Sequence, residues 1–303
     1  MRVNTSAGGS MQASYGRLRE SLYIQTQWKM STRIAFIGGG NMATSLVGGL
    51  IAAGTDPADI LVAEPDARQR EQLVQQFNVA VTASNLASLQ QDVVVLSVKP
   101  QQLQRVCRQL GAIENVTDPL YVSIAAGVRS TDIDRWLGGN TAIVRCMPNT
   151  PALIQCGATA LYANPSVNEA QKQLTDNILQ AAGITIWVEH EGLLDAVTAV
   201  SGSGPAYFFL LIEAMQKTAV ELGLDPASAT RLTLQTALGA ARMATESVLT
   251  AKELRAQVTS QGGTTAAAIS SFEHNHFHAH VSQALHAAHE RSRELADELG
   301  KDQ

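Results

Sequence analysis

The sequence predicts an α/β protein in two parts, a doubly wound parallel sheet followed by an all-helical region. Three observations support this prediction. Short apolar and β-branched runs alternate with helical patterns over the first half, as in strands joined by crossover helices. Beyond Ser201–Pro205, almost every segment has a helical pattern. The helix expected from Tyr207 is apolar on nearly every side, so it must be buried inside a helical domain or against a second subunit.

Composition limits the function classes. A chain of 303 residues with 45% hydrophobic and 16% charged residues can form two domains with their own cores. The net charge of −5 argues against a nucleic-acid partner. Cys107, Cys146 and Cys156 form no CxxC pair, which favours a reducing, cytoplasmic compartment. No uninterrupted apolar run reaches the roughly 18 residues of a membrane span, so no membrane partner is expected.

The first strand and the loop after it form a dinucleotide-binding fingerprint. Arg33–Ile37 has a strand pattern, and Gly38-Gly39-Gly40-Asn41-Met42-Ala43 follows it as G-x-G-x-x-A before a helix. The first glycine of this pattern permits the tight turn, and Gly40 lets a pyrophosphate approach the helix N-terminus. Ala43 lets the helix lie close to the strand. The first domain is therefore predicted to be of the Rossmann type.

The second strand, Ile60–Ala63, ends at Glu64. An acidic residue at this place binds the ribose 2′-hydroxyl of NADH. Arg68 and Arg70 follow, and an arginine there could hold the 2′-phosphate of NADPH, although both residues could equally lie on the solvated face of a helix. The predicted cofactor is thus NADPH or NADH, with the choice left open.

The remaining strands complete a sheet of about eight, and their ends carry candidate cofactor residues. These strands are expected at Val79–Val81, Asp92–Val98, Leu120–Ile124, Ala142–Met147, Thr159–Tyr162 and Thr185–Val188. Asn85 follows the third strand, and Lys99 and Pro100 follow the fourth, at the edge where α/β sheets bind ligands. Ala125 and Ala126 follow the fifth and are small enough to leave room for a flat ring.

The helical half contains three signals. Gly202 and Gly204 predict a turn, with Pro205 at the start of the next helix. Asp225 is expected to cap a helix that runs to about Val248. The last helix is expected from about Val281 to Leu299.

A second glycine-rich loop, Gly262-Gly263-Thr264-Thr265, precedes a run of small and apolar residues with a helical pattern. A helix N-terminus with free N–H groups and two hydroxyls is a site for a carboxylate or a phosphate. Simple capping of the helix by Thr264 is the alternative interpretation.

His274, His276, His278 and His280 alternate between the last two predicted helices. Metal ligands on a helix suit i, i+4 spacing better, and Glu273 is the only adjacent carboxylate. We therefore expect a solvated loop and no metal.

Taken together, these residues resemble the Δ1-pyrroline-5-carboxylate reductase family. The matching segments occur in the family's order between about Met30 and Leu299: Phe36–Ala43, Val98–Pro100, Ser123–Gly127, Met147–Pro151, Ser201–Tyr207 and Ser260–Thr265. Two residues depart from the family. Gln261 stands where the family usually has proline, and Glu64 where it often has serine or asparagine.

The resemblance implies a reaction and an assembly. The reaction is hydride transfer from NAD(P)H to the C=N bond of 1-pyrroline-5-carboxylate, which gives L-proline in the last step of its biosynthesis. The loop at Gly262–Thr265 would bind the substrate carboxylate, and Thr265 would orient or protonate the imine nitrogen, as the catalytic residue. The assembly would be an interlocked dimer of the helical domains, often in a ring of dimers, with each site shared between subunits.

The expected site residues follow from these motifs and from the resemblance. The cofactor-binding residues are Ile37, Gly38, Gly39, Gly40, Asn41, Met42, Glu64, Asn85, Ser97, Val98, Lys99, Pro100, Ala125 and Ala126. The substrate-binding residues are Glu191, Gln257, Ser260, Gly262, Gly263, Thr264 and Thr265. The expected domains are a dinucleotide-binding domain at 30–192 and a helical substrate and dimerisation domain at 193–303. Residues 1–29 are polar and without period, and we interpret them as a disordered extension or a start-site artefact.

Two other classes share parts of this pattern. A β-hydroxyacid-type dehydrogenase would place a catalytic lysine on the helix after the first domain, where Lys217 lies in an apolar helix without the glycine–asparagine context. A non-catalytic NAD(P)-binding regulatory module would bind the cofactor tightly without turnover.

Overall fold

The computed structural model describes residues 32–113 and 118–301. The predicted extension at residues 1–29 lies outside the described residues. Eight strands form one sheet in the order β3-β2-β1-β4-β5-β6-β7-β8. The strands are β1 Ile34–Ile37, β2 Ile60–Ala63, β3 Ala80–Thr82, β4 Val93–Leu96, β5 Leu120–Ser123, β6 Ile143–Met147, β7 Gly157–Ala163 and β8 Gly183–Trp187.

The sheet is parallel except between β6 and β7. Its strand order reverses at β1, which has β2 on one side and β4 on the other. The registers pair Ile37 with both Ala63 and Leu96, and Leu96 with Ser123. The loops that follow these four strands therefore start at one edge, which is where doubly wound sheets bind ligands.

Helices cover both faces of the sheet, and this confirms the predicted doubly wound class. They are α1 Asn41–Ala52, α2 Ala67–Phe77, α3 Pro100–Gly111, α4 Ser130–Leu137 and α5 Glu169–Gln180. One apolar core lies between the sheet and helices α1, α2 and α5. A second core lies between the opposite face and helices α3 and α4. Short 3-10 turns at Pro57–Asp59, Asn85–Gln90 and Thr150–Ile154 complete the connections.

The rest of the described chain is helical, as predicted. Its helices are α6 Leu193–Val197, α7 Gly204–Glu221, α8 Pro226–Glu246, α9 Ala251–Gln257, α10 Thr264–His274 and α11 Phe277–Leu299. The Asp225 carboxylate caps α8 by accepting hydrogen bonds from the N–H groups of Ala227 and Ser228. Helix α11 begins four residues earlier than expected, because the chain turns at His276, which has a φ of 56°. The prediction that the histidines lie in a loop is thus wrong, since most of them lie in α10 and α11.

The predicted turn at Ser201–Gly204 is also wrong. Residues Thr198–Gly202 form a π-helical segment that joins α6 to α7 with little interruption. A Cβ at Gly202 would lie 2.5 Å from Cε of Met147, the end of a flexible side chain. Pro205 has no N–H to offer the Ser201 carbonyl one turn earlier. The side chain of Asn149 donates to that carbonyl instead, at 3.1 Å.

Candidate active site

The glycine-rich loop follows β1 and opens α1, as the fingerprint predicts. Gly38 has a φ of +100°, and a Cβ there would lie 2.7 Å from the main-chain oxygen of Ser97. The Ser97 hydroxyl lies 2.9 Å from the Ile37 carbonyl oxygen and 2.8 Å from that of Gly38. Ser97 directly follows β4, and its hydroxyl is within hydrogen-bond distance of two carbonyls of the loop. Its main-chain oxygen leaves no room for a side chain at Gly38.

The N-terminus of α1 is open. Gly40 occupies the N-cap position, no side chain caps the helix, and a Cβ at Gly40 would meet no atom within 4 Å. Asn41 is exposed and Met42 is half-buried, in the first turn. Free N–H groups at such a helix end favour a negatively charged group. The arrangement fits the pyrophosphate of a dinucleotide.

Glu64 stands at the end of β2, and its carboxylate binds main-chain N–H groups of its own chain. One oxygen accepts from Gly39 at 2.8 Å and the other from Asp66 at 2.9 Å. The side-chain amide of Gln69 donates to the Gly39 carbonyl at 2.8 Å. Glu64 thus binds the N–H of Gly39, the middle glycine of the loop, and Gln69 binds its carbonyl. Both residues belong to the segment expected to bind the ribose. Sequence analysis missed Gln69, because a glutamine at its helical position carries no distinguishing signal.

The two arginines after Glu64 have different surroundings. Arg70 donates from one terminal nitrogen to the carbonyls of Glu64 and Pro65, at 2.7 and 2.8 Å. Its guanidinium therefore stabilises the turn before α2. Arg68 is exposed, and the described residues give it no hydrogen bond or ion pair.

The other predicted cofactor residues lie on loops at or near this edge. Lys99 is exposed and precedes α3, which begins with Pro100, while Val98 is half-buried. Ala125 is buried and Ala126 half-buried after β5. Asn85 starts the 3-10 turn after β3, and its amide donates to Gln109 at 3.2 Å.

A buried ion pair ties the sheet to the helical region. Glu191 accepts from Arg145 of β6 at 3.1 Å, and Arg145 is only 5% exposed. Glu191 also accepts from the N–H and the hydroxyl of Ser130, at 2.6 and 2.8 Å, at the start of α4. Both carboxylate oxygens of Glu191 thus have donors within the chain. Sequence analysis missed Arg145 and Ser130, since they lie 46 and 61 residues from Glu191.

The predicted substrate loop connects α9 to α10. Gln257 ends α9, Ser260 follows, and Gly263 is the N-cap of α10. A Cβ at Gly263 would lie 2.4 Å from the hydroxyl of Ser260. Gly262 has a φ of +73°, which favours glycine.

Helix α10 begins with Thr264 and Thr265, and no side chain caps it. Simple capping by Thr264 is therefore not what the structure shows. The first N–H groups of α10 are free to bind an anion, as expected for a carboxylate site. In the described part of the chain, the hydrogen bonds and ion pairs around this loop join residues 250–274 to one another. They include the Arg255–Glu273 ion pair at 3.5 Å. Within the described protomer, the loop is not joined by hydrogen bonds to the cofactor edge.

Helix α7 exposes a broad apolar surface. Phe208, Phe209 and Leu210 are 68%, 65% and 67% exposed. Within the continuous helical stretch Leu193–Glu221, an 18-residue window has a mean hydropathy of 1.2, and the stretch is long and apolar enough to cross a membrane by length and composition. It is not an uninterrupted apolar run, however, because Glu213 and Lys217 interrupt it.

The described cysteines and histidines form no reactive cluster. Burial raises the pKa of the Cys107 thiol to about 12 and raises that of Cys146 further, so both thiols stay protonated at neutral pH. Among residues 32–113 and 118–301, no three histidine, cysteine or acidic side chains come together as metal ligands.

Two family models match the chain. The model for pyrroline-5-carboxylate reductase dimerisation matches residues 191–295, and the model for coenzyme F420-dependent NADP oxidoreductases matches residues 33–127. The first match covers the exposed helices and the substrate loop, and the second covers the glycine-rich loop and Glu64.

Relatives and solved structures are similar over nearly the whole chain. The pyrroline-5-carboxylate reductase of Pseudomonas aeruginosa is 53% identical over 274 residues, which is 90% of this chain and 100% of the relative. That of Haemophilus influenzae is 42% identical over 86% of this chain and 97% of its own. The solved reductase of Coxiella burnetii has a TM-score of 0.84 at 45% identity and covers 88% of this chain and 99% of its own. The Plasmodium falciparum reductase, solved with NADP bound, has a TM-score of 0.76 at 28% identity over 88% of this chain and 98% of its own.

Proposed function

The chain belongs to the pyrroline-5-carboxylate reductase family, and we propose that its two glycine-rich loops hold the cofactor and the substrate of one active site. The enzyme is an NAD(P)H-dependent oxidoreductase that reduces 1-pyrroline-5-carboxylate to L-proline, the final step of proline biosynthesis. The observation that carries the proposed site is the uncapped N-terminus of α10 behind Gly262 and Gly263. This helix N-terminus is a site for an anion such as the substrate carboxylate. The other glycine-rich loop, at Gly38–Gly40, fits a dinucleotide.

The residues around α1 fit the cofactor. The open N-terminus of α1 would receive the pyrophosphate at Gly39, Gly40 and Asn41. Glu64 would bind the adenosine ribose, with Asn85 beyond it. Ser97, Val98, Lys99 and Pro100 on one loop, and Ala125 and Ala126 on the next, would border the nicotinamide. When bound, the reduced nicotinamide supplies the hydride that adds to the imine carbon.

The residues around α10 fit the substrate. The first N–H groups of α10 would hold its carboxylate, with the Ser260 hydroxyl and the Gln257 amide nearby. The imine nitrogen needs a proton as it becomes an amine. The Thr265 hydroxyl, in the first turn of α10, would orient that nitrogen or hand it a proton through water. A threonine hydroxyl is a weak acid, so orientation is the main role proposed.

Glu191 belongs to this site through the groups it holds. Because its two oxygens accept from Ser130 and Arg145, it fixes the start of α4 and β6 against the chain segment that enters α6. We propose that Glu191 neighbours the substrate from this fixed position.

A partner subunit completes the site in this proposal. A dimerisation domain occupies residues 191–295, and the apolar face of α7 would be covered by the partner subunit rather than by lipid. The substrate loop of one protomer would then meet the cofactor edge of the other. We further propose that the enzyme is cytoplasmic and that its dimers assemble into a ring. The proposed domains are residues 30–192 and 193–303, and the segment 1–29 is proposed to be dispensable.

The test compares Thr265→Ala with Thr265→Ser. Loss of the hydroxyl should lower kcat for pyrroline-5-carboxylate by roughly tenfold to a thousandfold, while Thr265→Ser should retain most of it. The dissociation constant of NADH should stay within about twofold, because the proposed contact of the hydroxyl is with the substrate nitrogen and not with the cofactor. An unchanged kcat in Thr265→Ala would remove the hydroxyl from the mechanism, and an inactive wild-type enzyme with both cofactors would refute the function.

A further inference from the structure

The Glu64 carboxylate has two of its acceptor positions filled by the protein itself. A carboxylate offers about four acceptor positions, and the N–H groups of Gly39 and Asp66 use one on each oxygen. Two positions remain. The two free hydroxyls of an adenosine ribose would supply the two donors that complete the set.

The contact with Gly39 fixes where this carboxylate lies. A Cβ at Gly39 would lie 2.8 Å from Leu73 and 3.3 Å from Cγ of Glu64. A side chain at this middle position would therefore require Leu73 and the stem of Glu64 to shift. The Gln69 amide donates to the Gly39 carbonyl and so holds the next peptide group of the loop. Moving the carboxylate away would break the Gly39 hydrogen bond and leave that N–H without its partner.

Among the described residues, no cation forms an ion pair with the Glu64 carboxylate. Arg70 is engaged with two main-chain carbonyls. Asp66 adds a second carboxylate two residues away, which caps α2 by accepting from the Gln69 N–H at 2.9 Å. Among the described residues of this turn, exposed Arg68 is the one cation whose side chain has no partner. A 2′-phosphate carries nearly two negative charges, so it would meet the fixed Glu64 carboxylate, with Arg70 already bound to carbonyls and only the exposed Arg68 left to donate to it.

We infer that the Gly39–Glu64 contact makes NADH the preferred cofactor of this enzyme. The inference rests on the proposed function for its assay and goes beyond it by choosing between two cofactors. Two ribose hydroxyls of NADH complete the Glu64 acceptor set, whereas the 2′-phosphate of NADPH replaces one donor with a repelling charge. The conformation of the glycine-rich loop is linked to the choice between NADH and NADPH, because the carboxylate that would bind the ribose also accepts from the Gly39 N–H.

The experiment measures kcat/KM with NADH and with NADPH at a fixed concentration of pyrroline-5-carboxylate. It also measures binding of NADH and NADPH to the whole enzyme by calorimetry, which needs no turnover. Wild type should favour NADH by about tenfold or more in both measurements. Glu64→Ser and Glu64→Gln should each lower that ratio at least about tenfold, the equivalent of 1.4 kcal/mol. Arg68→Ala should raise the ratio by removing the residual attraction for the phosphate.

Asp66→Asn is the matched control. It removes one unit of charge from the same turn and keeps a side chain that can cap α2, so its ratio should change by less than about threefold. A wild-type preference for NADPH, or an unchanged ratio in Glu64→Ser, would overturn the inference. An equal change in Asp66→Asn would also overturn it, because general charge would then explain the effect. If wild type binds both cofactors but never turns over the substrate, the proposed function fails while the binding ratio still decides the inference.

Discussion

The sheet and the helical region bury their apolar residues in different ways. Every residue of β1, β4 and β5 is buried within the protomer. In the 18 residues of α7, by contrast, only Gly204 is buried. The centre of the sheet is therefore packed inside one chain, although its edge strand β8 exposes Ile184 and Ile186. Helix α7, by contrast, presents most of its apolar residues outward. The hydrophobic effect favours covering such a surface, and the dimerisation domain at residues 191–295 accounts for the cover.

This difference bears on the two halves of the proposed site. The loops that would hold the cofactor start from strands that the protomer has already packed. The substrate loop lies between α9 and α10, two helices in which no residue is buried within the protomer. In the proposed site, the position of Thr265 relative to the cofactor edge would thus depend on association, whereas the shape of the glycine-rich loop would not.

The largest expected effect comes from a charge on the exposed face of α7. Leu210→Glu would bury an unpaired carboxylate against the partner subunit, at a cost of about 3–5 kcal/mol. The dissociation constant of the dimer should rise roughly a thousandfold, and activity should disappear at concentrations where the protein is monomeric. Analytical ultracentrifugation over a range of concentrations, combined with the reductase assay, measures both.

Val74→Glu on α2 is the control for that change. Val74 is also a partly exposed aliphatic residue, at 41%, but it lies in the sheet domain, so its charge should leave the dimer and the activity intact. If Leu210→Glu remains a fully active dimer, the exposed face of α7 does not lie in the subunit contact, and the contrast between the two regions needs another explanation.

The fold was largely predictable because its signals are local. Continuous apolar runs such as that of β4 predict buried parallel strands, and Gly38 and Gly40 mark the loop by spacing alone. The turn predicted at Gly202 failed because glycine occurs both with and without a positive φ, and here Gly202 lies without one in the π-helical segment that leads into α7. Sequence gives no means of telling these apart.

The polar contacts of the candidate site were less predictable. Glu64 was singled out by its place after β2, but its bond to Gly39 depends on how the loop folds back over the strand end. The pairing of Glu191 with Arg145 depends on the register of β6 and the path into α6. Such long-range partners follow from tertiary packing, which local patterns do not encode.

A smaller effect is expected inside the sheet domain, at the contact of α1 with the end of α5. A Cβ at Gly49 would lie 2.2 Å from the main-chain oxygen of Ala181, a group that cannot rotate away. Gly49→Ala should therefore lower the free energy of unfolding by about 1–3 kcal/mol, despite the better helix propensity of alanine. Thermal unfolding measures this loss, which should not depend on protein concentration if the sheet domain packs by itself.

Gly48→Ala is the control on the same turn of α1. Its Cβ would lie 3.1 Å from the Phe77 ring, a side chain that can shift, so its stability should stay within about 1 kcal/mol of wild type. Equal losses in the two variants would show that the Ala181 contact yields, and that packing in the sheet domain is looser than its burial indicates.

The two regions also meet at the end of α11, which lies against the loop after β5. A Cβ at Gly127 would lie 3.3 Å from Leu299 and 3.4 Å from Leu295. Beside this contact, Arg129 forms an ion pair with Asp297. The arginine lowers the pKa of the Asp297 carboxyl below its ordinary value, through its hydrogen bond and its charge. Both side chains of this pair are partly exposed, so pH and salt should act on it.

The smallest expected effect therefore comes from Asp297→Asn. Because the carboxyl has a lower pKa when folded, its contribution is present above the ordinary pKa of an aspartate and is lost as the pH falls through the lowered value. At pH 7 the variant should melt about 2 °C or less below wild type, since exposed ion pairs contribute little. The difference should shrink in high salt and vanish once the pH lies below the lowered pKa of the Asp297 carboxyl. A difference that persists at acid pH would mean that asparagine disturbs the packing of α11 on the sheet domain, and that this contact owes its strength to Leu295 and Leu299 rather than to charge.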